Sequence, residues 1–277
     1  MTRAGDALLE LRRQLARVSP SAALDAELLL AHVLDCSRAA LAARGEQALS
    51  AAQRRALDAL VARRFAGEPV AYLTGRREFW SLELEVTPDV LVPRPETELL
   101  VEITLAALGT VERPTVLDLG TGSGALALAI ASERPDALLT AVDASAAALA
   151  VAARNAARLR IENVRFLAGS WYDPVGAERF HAIVANPPYV GQHDPALAAL
   201  VHEPRSALAA GSRGLDAIAT ICAGAAAHLR EGGMLVVEHG ANQGTAVREL
   251  LAGGGLCQVT THRDLAGLPR ATRASAA

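Results

Sequence analysis

Seven consecutive residues, Asp118-Leu119-Gly120-Thr121-Gly122-Ser123-Gly124, constrain the fold of this chain more than any other stretch. The apolar run from Thr115 to Leu119 leads into them as a short buried strand, and a helix over 125–133 is predicted to follow. Glycine at every second position suits a backbone that bends sharply from strand to helix and that a ligand approaches without a Cβ in the way. Beyond this turn the chain keeps alternating. Strands are expected at 138–142, 164–167, 182–185 and 234–238, and helices over 146–159, around 218–229 and once more before a last β region that opens at 257–260. Apolar strands separated by helices predict a parallel sheet covered on both faces, an α/β, Rossmann-like domain over 98–277.

The residues ahead of this domain have a different texture. Residues 1–75 read as helices only. Leu8, Leu11, Leu15 and Val18 share one helical face before a stop at Ser19-Pro20, and Leu24, Leu28, Ala31, Val33 and Leu34 form the apolar side of a second helix. A third begins after Ser50 and carries Leu57, Leu60 and Val61 between arginines. A small helical bundle is expected, whose peripheral place and slightly basic balance suit a substrate-docking module. Over 76–97, Glu78-Phe79-Trp80 and Leu82-Glu83-Leu84-Glu85-Val86 alternate as strands do, and a Pro88-Asp89 turn leads to Val90-Leu91-Val92; together they predict a β-hairpin linker. Pro93-Arg94-Pro95-Glu96-Thr97-Glu98 closes it and opens a helix, with acids in the first turn where the helix dipole favours them.

Charge and cysteine usage remove several function classes. The net charge of −3 divides as +2 over 1–75 and −5 over 76–277, so neither part resembles a protein that neutralises many phosphates, and no direct nucleic-acid binding is expected. Cys36, Cys222 and Cys257 are isolated and odd in number, and His181, His193, His202 and His239 form no ligand spacing, so neither a disulfide framework nor a metal is predicted. The start of the chain lacks the features of a signal peptide, and no apolar stretch reaches the ~18 residues of a membrane span. A cytoplasmic monomer without membrane contact is the expectation.

Two clusters carry chemistry. In the first, Gly120, Thr121, Gly122, Ser123 and Gly124 form a loop fit to cradle a nucleotide cofactor, and Asp143 ends the next strand, where an acid accepts hydrogen bonds from both ribose hydroxyls. Gly120-x-Gly122-x-x-Ala125 also satisfies the dinucleotide fingerprint, so a nicotinamide enzyme fits this loop as well as a methyltransferase. The second cluster is Asn186-Pro187-Pro188-Tyr189, directly after the strand at 182–185 and therefore on the same sheet edge as Gly120 and Asp143. An amide or exocyclic amine nitrogen is a poor nucleophile, because its lone pair is delocalised. Two acceptors on its N–H bonds, the Asn186 side-chain oxygen and the Pro187 carbonyl, would turn that lone pair toward a methyl donor and stabilise the positive charge that develops. Tyr189 offers a flat face for a planar group, and Pro187 and Pro188 stiffen the loop. Hydride transfer needs none of this, which favours S-adenosylmethionine as cofactor. A glutamine amide and an adenine amine both satisfy these demands.

In these residues the sequence closely resembles the release-factor glutamine methyltransferases, the HemK/PrmC family. The resemblance covers nearly the whole chain and is strongest at 69–75, 92–98, 118–124, 186–189, 214–216, 238–240 and 264–267. Asn-Pro-Pro-Tyr alone also fits adenine methyltransferases; the Pro93-to-Glu98 stretch and the helical N-terminal region single out this family. It implies a class I methyltransferase sheet with a small helical bundle joined by a β-hairpin. It also implies methylation of the side-chain amide nitrogen of the glutamine in the Gly-Gly-Gln motif of class-I peptide chain release factors, the expected partners. By the same resemblance Gly120 to Gly124 and Asp143 bind S-adenosylmethionine, Trp171 packs near it, and Asn186 touches cofactor and glutamine. Ser170 stands where many relatives carry aspartate. Glu96 and Glu98 wall the pocket or cap a helix, and Asp118 contacts the methionine amino group or braces the loop.

Overall fold

The structure, a computed structural model describing residues 2–277, divides into two compact units, one ending at Arg76 and one running from Arg77 to Ala277. The first is helical: α1 (Ala4–Leu15), α2 (Ala22–Val33), α3 (Arg38–Leu41), α4 (Ala51–Phe65) and α5 (Val70–Thr74). Its core gathers Ala4, Ala7, Leu11 and Leu15 from α1, Ala26, Leu29 and Leu30 from α2, and Leu57 and Val61 from α4. Ser50 starts α4 with a capping box, its hydroxyl accepting from the Gln53 N–H while the Gln53 side chain accepts from the Ser50 N–H. Two expectations about faces are corrected. Val18 is 39% exposed because α1 ends at Leu15, and Leu24 is 37% exposed because α2 turns Ala26, Leu29 and Leu30 inward. Leucines at 28, 29 and 30 leave the face of that helix undefined by period alone. Asp25 joins its inner face by accepting from Arg64 Nε at 3.0 Å. The short helices α3 and α5 fall below the length at which periodicity is visible.

The hairpin strands are β1 (Arg76–Phe79) and β2 (Leu82–Glu85), forming a two-stranded sheet. Their turn is Trp80-Ser81, both left-handed at φ 52° and 60°, as the right-handed twist of a two-residue hairpin demands. Val90-Leu91-Val92, expected to belong to the hairpin, lies in no strand. This segment runs irregularly instead, with the Val92 N–H donating to Glu203 Oε2 at 3.1 Å and Arg94 forming an ion pair with the same buried carboxylate.

After α6 (Glu98–Leu108) the alternation begins: β3 (Thr115–Leu119), α7 (Ala125–Glu133), β4 (Leu138–Asp143), α8 (Ala146–Leu159), β5 (Val164–Ala168), β6 (Phe180–Ala185), α9 (Asp216–His228), β7 (Leu229–Glu238), α10 (Gly244–Gly253), β8 (Cys257–Arg263) and β9 (Pro269–Ser275). The sheet order is β5-β4-β3-β6-β7-β9-β8. The first five strands are parallel; β9 runs antiparallel to β7, and β8 to β9, so the sheet is mixed rather than wholly parallel. Side chains alternate between faces as strand geometry requires. Val116, Val184 and Val236 pack with α6, α7, Phe79 and Leu84 on one face. Leu117, Leu119, Ile183 and Leu235 pack with α9 and α10 on the other. Strand order reverses between β3 and β6, and the crevice at such a switch point is where an open α/β sheet holds its ligands.

Candidate active site

Register aligns the two motifs. Leu119 pairs with Val142 on one side and Ala185 on the other, so Gly120, Asp143 and Asn186 all lie one step past the same level of the sheet. The loop from Gly120 to Gly124 then turns into α7 with all three glycines left-handed, at φ 76°, 55° and 85°. A Cβ on Gly124 would also stand 3.0 Å from Leu128 Cδ1 and 3.2 Å from Ala152 Cβ. Conformation and space both exclude a side chain there.

The cleft above this edge encloses about 1120 Å³, solvent at its mouth included. Gly120, Thr121, Gly122, Ser123, Asp143, Trp171, Asn186 and Pro188 all line it. Gly124 caps α7 rather than facing the cleft, Pro187 is buried behind it, and Tyr189 lies to one side against the second core. The structure thus brings most of the expected residues together but sets the Tyr189 ring away from the lining. Its hydroxyl donates to Glu238 Oε1 at 3.1 Å, and burial pushes its pKa up. Asp89, Val90, Leu91, Pro93 and Thr97 also line the cleft, from a segment that runs irregularly rather than as a strand. Neither Glu96 nor Glu98 lines the cleft; Glu98 accepts the Trp80 N–H at 2.8 Å.

The donor set fits a nucleoside with a charged amino-acid tail. Asp143 uses one oxygen to accept the Gly122 N–H at 2.9 Å and the other to accept the Ser145 N–H at 2.8 Å, and each keeps a lone pair for a vicinal hydroxyl. Asp118 is fully buried. Its Oδ2 accepts from Thr121 Oγ1 at 2.6 Å and from the Ala127 N–H at 3.3 Å, while its Oδ1 has no partner among the described residues. Desolvation lifts this carboxyl to about 7. An orphaned buried carboxylate oxygen beneath the loop is an acceptor awaiting a cation or an N–H donor. Ser170 also lines the cleft, and Trp171, left-handed at φ 45°, rests its ring 3.6 Å from where a Gly120 Cβ would stand.

Three supporting residues escaped sequence reasoning. Thr97 and Glu238 lie in stretches noted for resemblance, without a role. In the structure Asn186 Nδ2 donates to Thr97 Oγ1 at 3.1 Å, and Thr97 Oγ1 donates to Glu238 Oε2 at 2.7 Å. Asn155, fully buried in α8, donates to the Ser123 carbonyl at 2.9 Å and the Glu85 carbonyl at 3.0 Å, and its oxygen accepts the Glu85 N–H at 2.6 Å. It ties the glycine loop to β2. One signal pointed to it: Asn155 continues the apolar face Ala148, Val151, Ala152, and a lone amide on such a face must find partners. On the acceptor side, a Cβ on Gly214, at φ 70°, would stand 2.1 Å from the Tyr189 carbonyl oxygen. Gln243 Nε2 donates to that same oxygen at 3.0 Å.

Residues 6–75 match the family described as PrmC N-terminal domain, and residues 95–215 that described as Methyltransferase small domain. The chain is similar to a release factor glutamine methyltransferase of Burkholderia pseudomallei, 53% identical over 269 residues with 94% of each chain covered. It is also similar to one of Coxiella burnetii, 50% identical over 265 residues with 96% of each covered. Among solved structures, a methyltransferase from Pyrococcus furiosus shares the fold at TM-score 0.54 and 20% identity, over 77% of this chain and 95% of that one. So does a T. thermophilus 16S rRNA N2 G1207 methyltransferase, solved with AdoMet and guanosine, at TM-score 0.55 and 22% identity, over 73% of this chain and 50% of that one.

Proposed function

The chain belongs to the release factor glutamine methyltransferases, and on that premise we propose that it transfers the methyl group of S-adenosylmethionine to the side-chain amide nitrogen of the Gly-Gly-Gln glutamine of class-I release factors. The observation that carries this reading is that Asn186 and Asp143 stand at one level of the sheet and line one cleft. When bound, S-adenosylmethionine supplies an electrophilic methyl carbon. Asp143 would hold the ribose hydroxyls, the loop braced from beneath by Asp118 would face the amino-acid tail, and Trp171 with Leu126, Val142 and Ala148 would wall the apolar part.

The acceptor amide donates its two N–H bonds to Asn186 Oδ1 and the Pro187 carbonyl. That contact withdraws the lone pair from conjugation and aims it at the methyl carbon, within roughly 3 Å. As the N–C bond formed and the methyl carbon's bond to sulfur broke, leaving a neutral thioether, the nitrogen would become positive; the same two oxygens would stabilise it until its extra proton passed to water. Pro188 lines the cleft beside them. The N-terminal unit is assigned to docking the release factor.

The test incubates the protein and labelled cofactor with a release factor and, separately, with nucleic acid. Label on the Gly-Gly-Gln glutamine is expected; label confined to adenine bases overturns the reading. Asn186→Ala should leave cofactor affinity largely intact while kcat falls by about 10²–10³, the loss typical of one preorganised hydrogen-bond partner. Unchanged turnover would remove Asn186 from the mechanism.

A further inference from the structure

An asparagine can serve as an acceptor only if its amide is the right way round. The oxygen and the NH₂ group are similar in size, so shape alone does not choose between the two orientations. Asn186 Nδ2 stands 3.1 Å from Thr97 Oγ1, which stands 2.7 Å from Glu238 Oε2; Tyr189 Oη stands 3.1 Å from Glu238 Oε1. Glu238 is 1% exposed and Thr97 4%. An ionised carboxylate has no proton to give, so both hydroxyls must donate to it. Thr97 has only one proton. Once that proton is committed to Glu238, the threonine oxygen offers Asn186 nothing but lone pairs, and only the NH₂ end of the amide can face it.

We propose that Glu238, acting through Thr97, is the positioning residue that fixes the orientation of the Asn186 amide and so presents Oδ1 to the acceptor nitrogen. The proposal rests on the reading of Asn186 as the acceptor-holding residue and adds what makes it competent. A protonated Glu238 would reverse the relay. It could donate to Thr97, whose own proton would then seek Asn186 Oδ1 and turn the NH₂ end toward the substrate. Two donors would then face each other, and the amide nitrogen would lose its partner.

The groups facing Glu238 are Thr97 and Glu96 from the turn before α6, Tyr189 from the loop after β6, and Arg270 from β9. Arg94 acts on Tyr189, and Arg270 is itself held by Asp264 at 3.1 Å. Burial and Glu96 raise the Glu238 carboxyl, the two hydroxyls and Arg270 lower it, and it comes to about 7. The orientation is therefore set by a group that titrates close to neutrality. Turnover should fall as pH drops through that value.

The experiment measures kcat, KM for cofactor and KM for a release factor in the full-length protein and three variants. Thr97→Val keeps the shape and removes the hydroxyl; kcat should fall about a hundredfold with little change in either KM. Thr97→Ser restores the hydroxyl and should recover turnover to within about tenfold of the parent. Glu238→Gln, which can donate from one end, should lower kcat and abolish the acid limb of its pH profile. Equal turnover in Thr97→Val and Thr97→Ser overturns the proposal.

A second measurement needs no substrate. In protein labelled with ¹⁵N-asparagine, the Asn186 side-chain NH₂ pair should shift and exchange faster in Thr97→Val but not in Thr97→Ser. If Thr97→Val leaves that pair unmoved, the relay is wrong whatever the enzyme methylates. If the pair responds but no release factor is labelled, the relay stands and the substrate assignment falls.

Discussion

Glu238 and Asp118 are carboxyls that a purely stable protein would avoid. Each is almost or fully inaccessible, and desolvation lifts each to about 7. Their effect on stability has a definite sign. Between the unfolded value near 4.5 and about 7, the folded state binds more protons at Glu238 than the unfolded state does. Its stabilising contribution is therefore complete below the unfolded value and is lost as pH rises through about 7, amounting to roughly 3 kcal/mol for a shift of this order. Catalysis asks for the opposite state, the ionised one. Glu238→Gln should accordingly flatten the dependence of unfolding free energy on pH across this window while depressing turnover. Urea titrations at several pH values would show it, and an unaltered slope would mean that Glu238 ionises as an ordinary glutamate. Neither half of this behaviour was legible beforehand, because Thr97 and Glu238 are 141 positions apart. They meet only once the order of strands is known.

Helix α8 shows how an element carries function without touching the chemistry. Its Ala148 lines the cleft, and four residues along the same face its Ala152 meets the glycine loop, while Asn155 grips the loop from beneath. Asn155→Ala would leave the Glu85 N–H and two carbonyls without their partner. Stability should drop by about 2–4 kcal/mol, and cofactor affinity should weaken with it because the Ser123 end of the loop is released. Thermal melts and calorimetric titration of the cofactor test this; a lower melting temperature with unchanged cofactor affinity would confine Asn155 to fold maintenance. At this scale much was readable. The bounds of α7 and α8 follow from alanine-rich periodicity, and β3 and β6 from short, largely apolar runs that stop at the Gly120 and Asn186 loops. The hairpin turn was not. Trp80-Ser81 lacks the Asn-Gly signal that marks such turns, and the apolar Val90-Leu91-Val92 looked like a strand because a cleft wall and a strand draw on the same residues.

Across the whole molecule, every residue that lines the cleft lies between 89 and 207, inside the unit that begins at Arg77, while the helical unit keeps its own core. A fragment spanning 77–277 should therefore bind cofactor within a few-fold of the full chain, yet show a KM for release factor at least about tenfold higher, the equivalent of 1.4 kcal/mol of lost docking. Binding and steady-state assays on the fragment decide it, and equal loss of both affinities would make the first unit a stabiliser rather than a dock. The α/β class and the glycine loop were plain in the sequence; the antiparallel edge was not, since a period-two pattern does not state direction.

That edge also orders events during synthesis. A ribosome delivers β8 before β9, yet β9 is the strand that lies between β8 and β7. Until it arrives, the nascent sheet ends at β7 with its backbone donors and acceptors open, and β8 has nothing to pair with. The same late strand brings Arg270, the cation beside Glu238. A nascent chain halted before β9 would expose an adhesive strand edge of the kind that recruits chaperones or aggregates, and it would carry the glutamate of the relay without its countercharge.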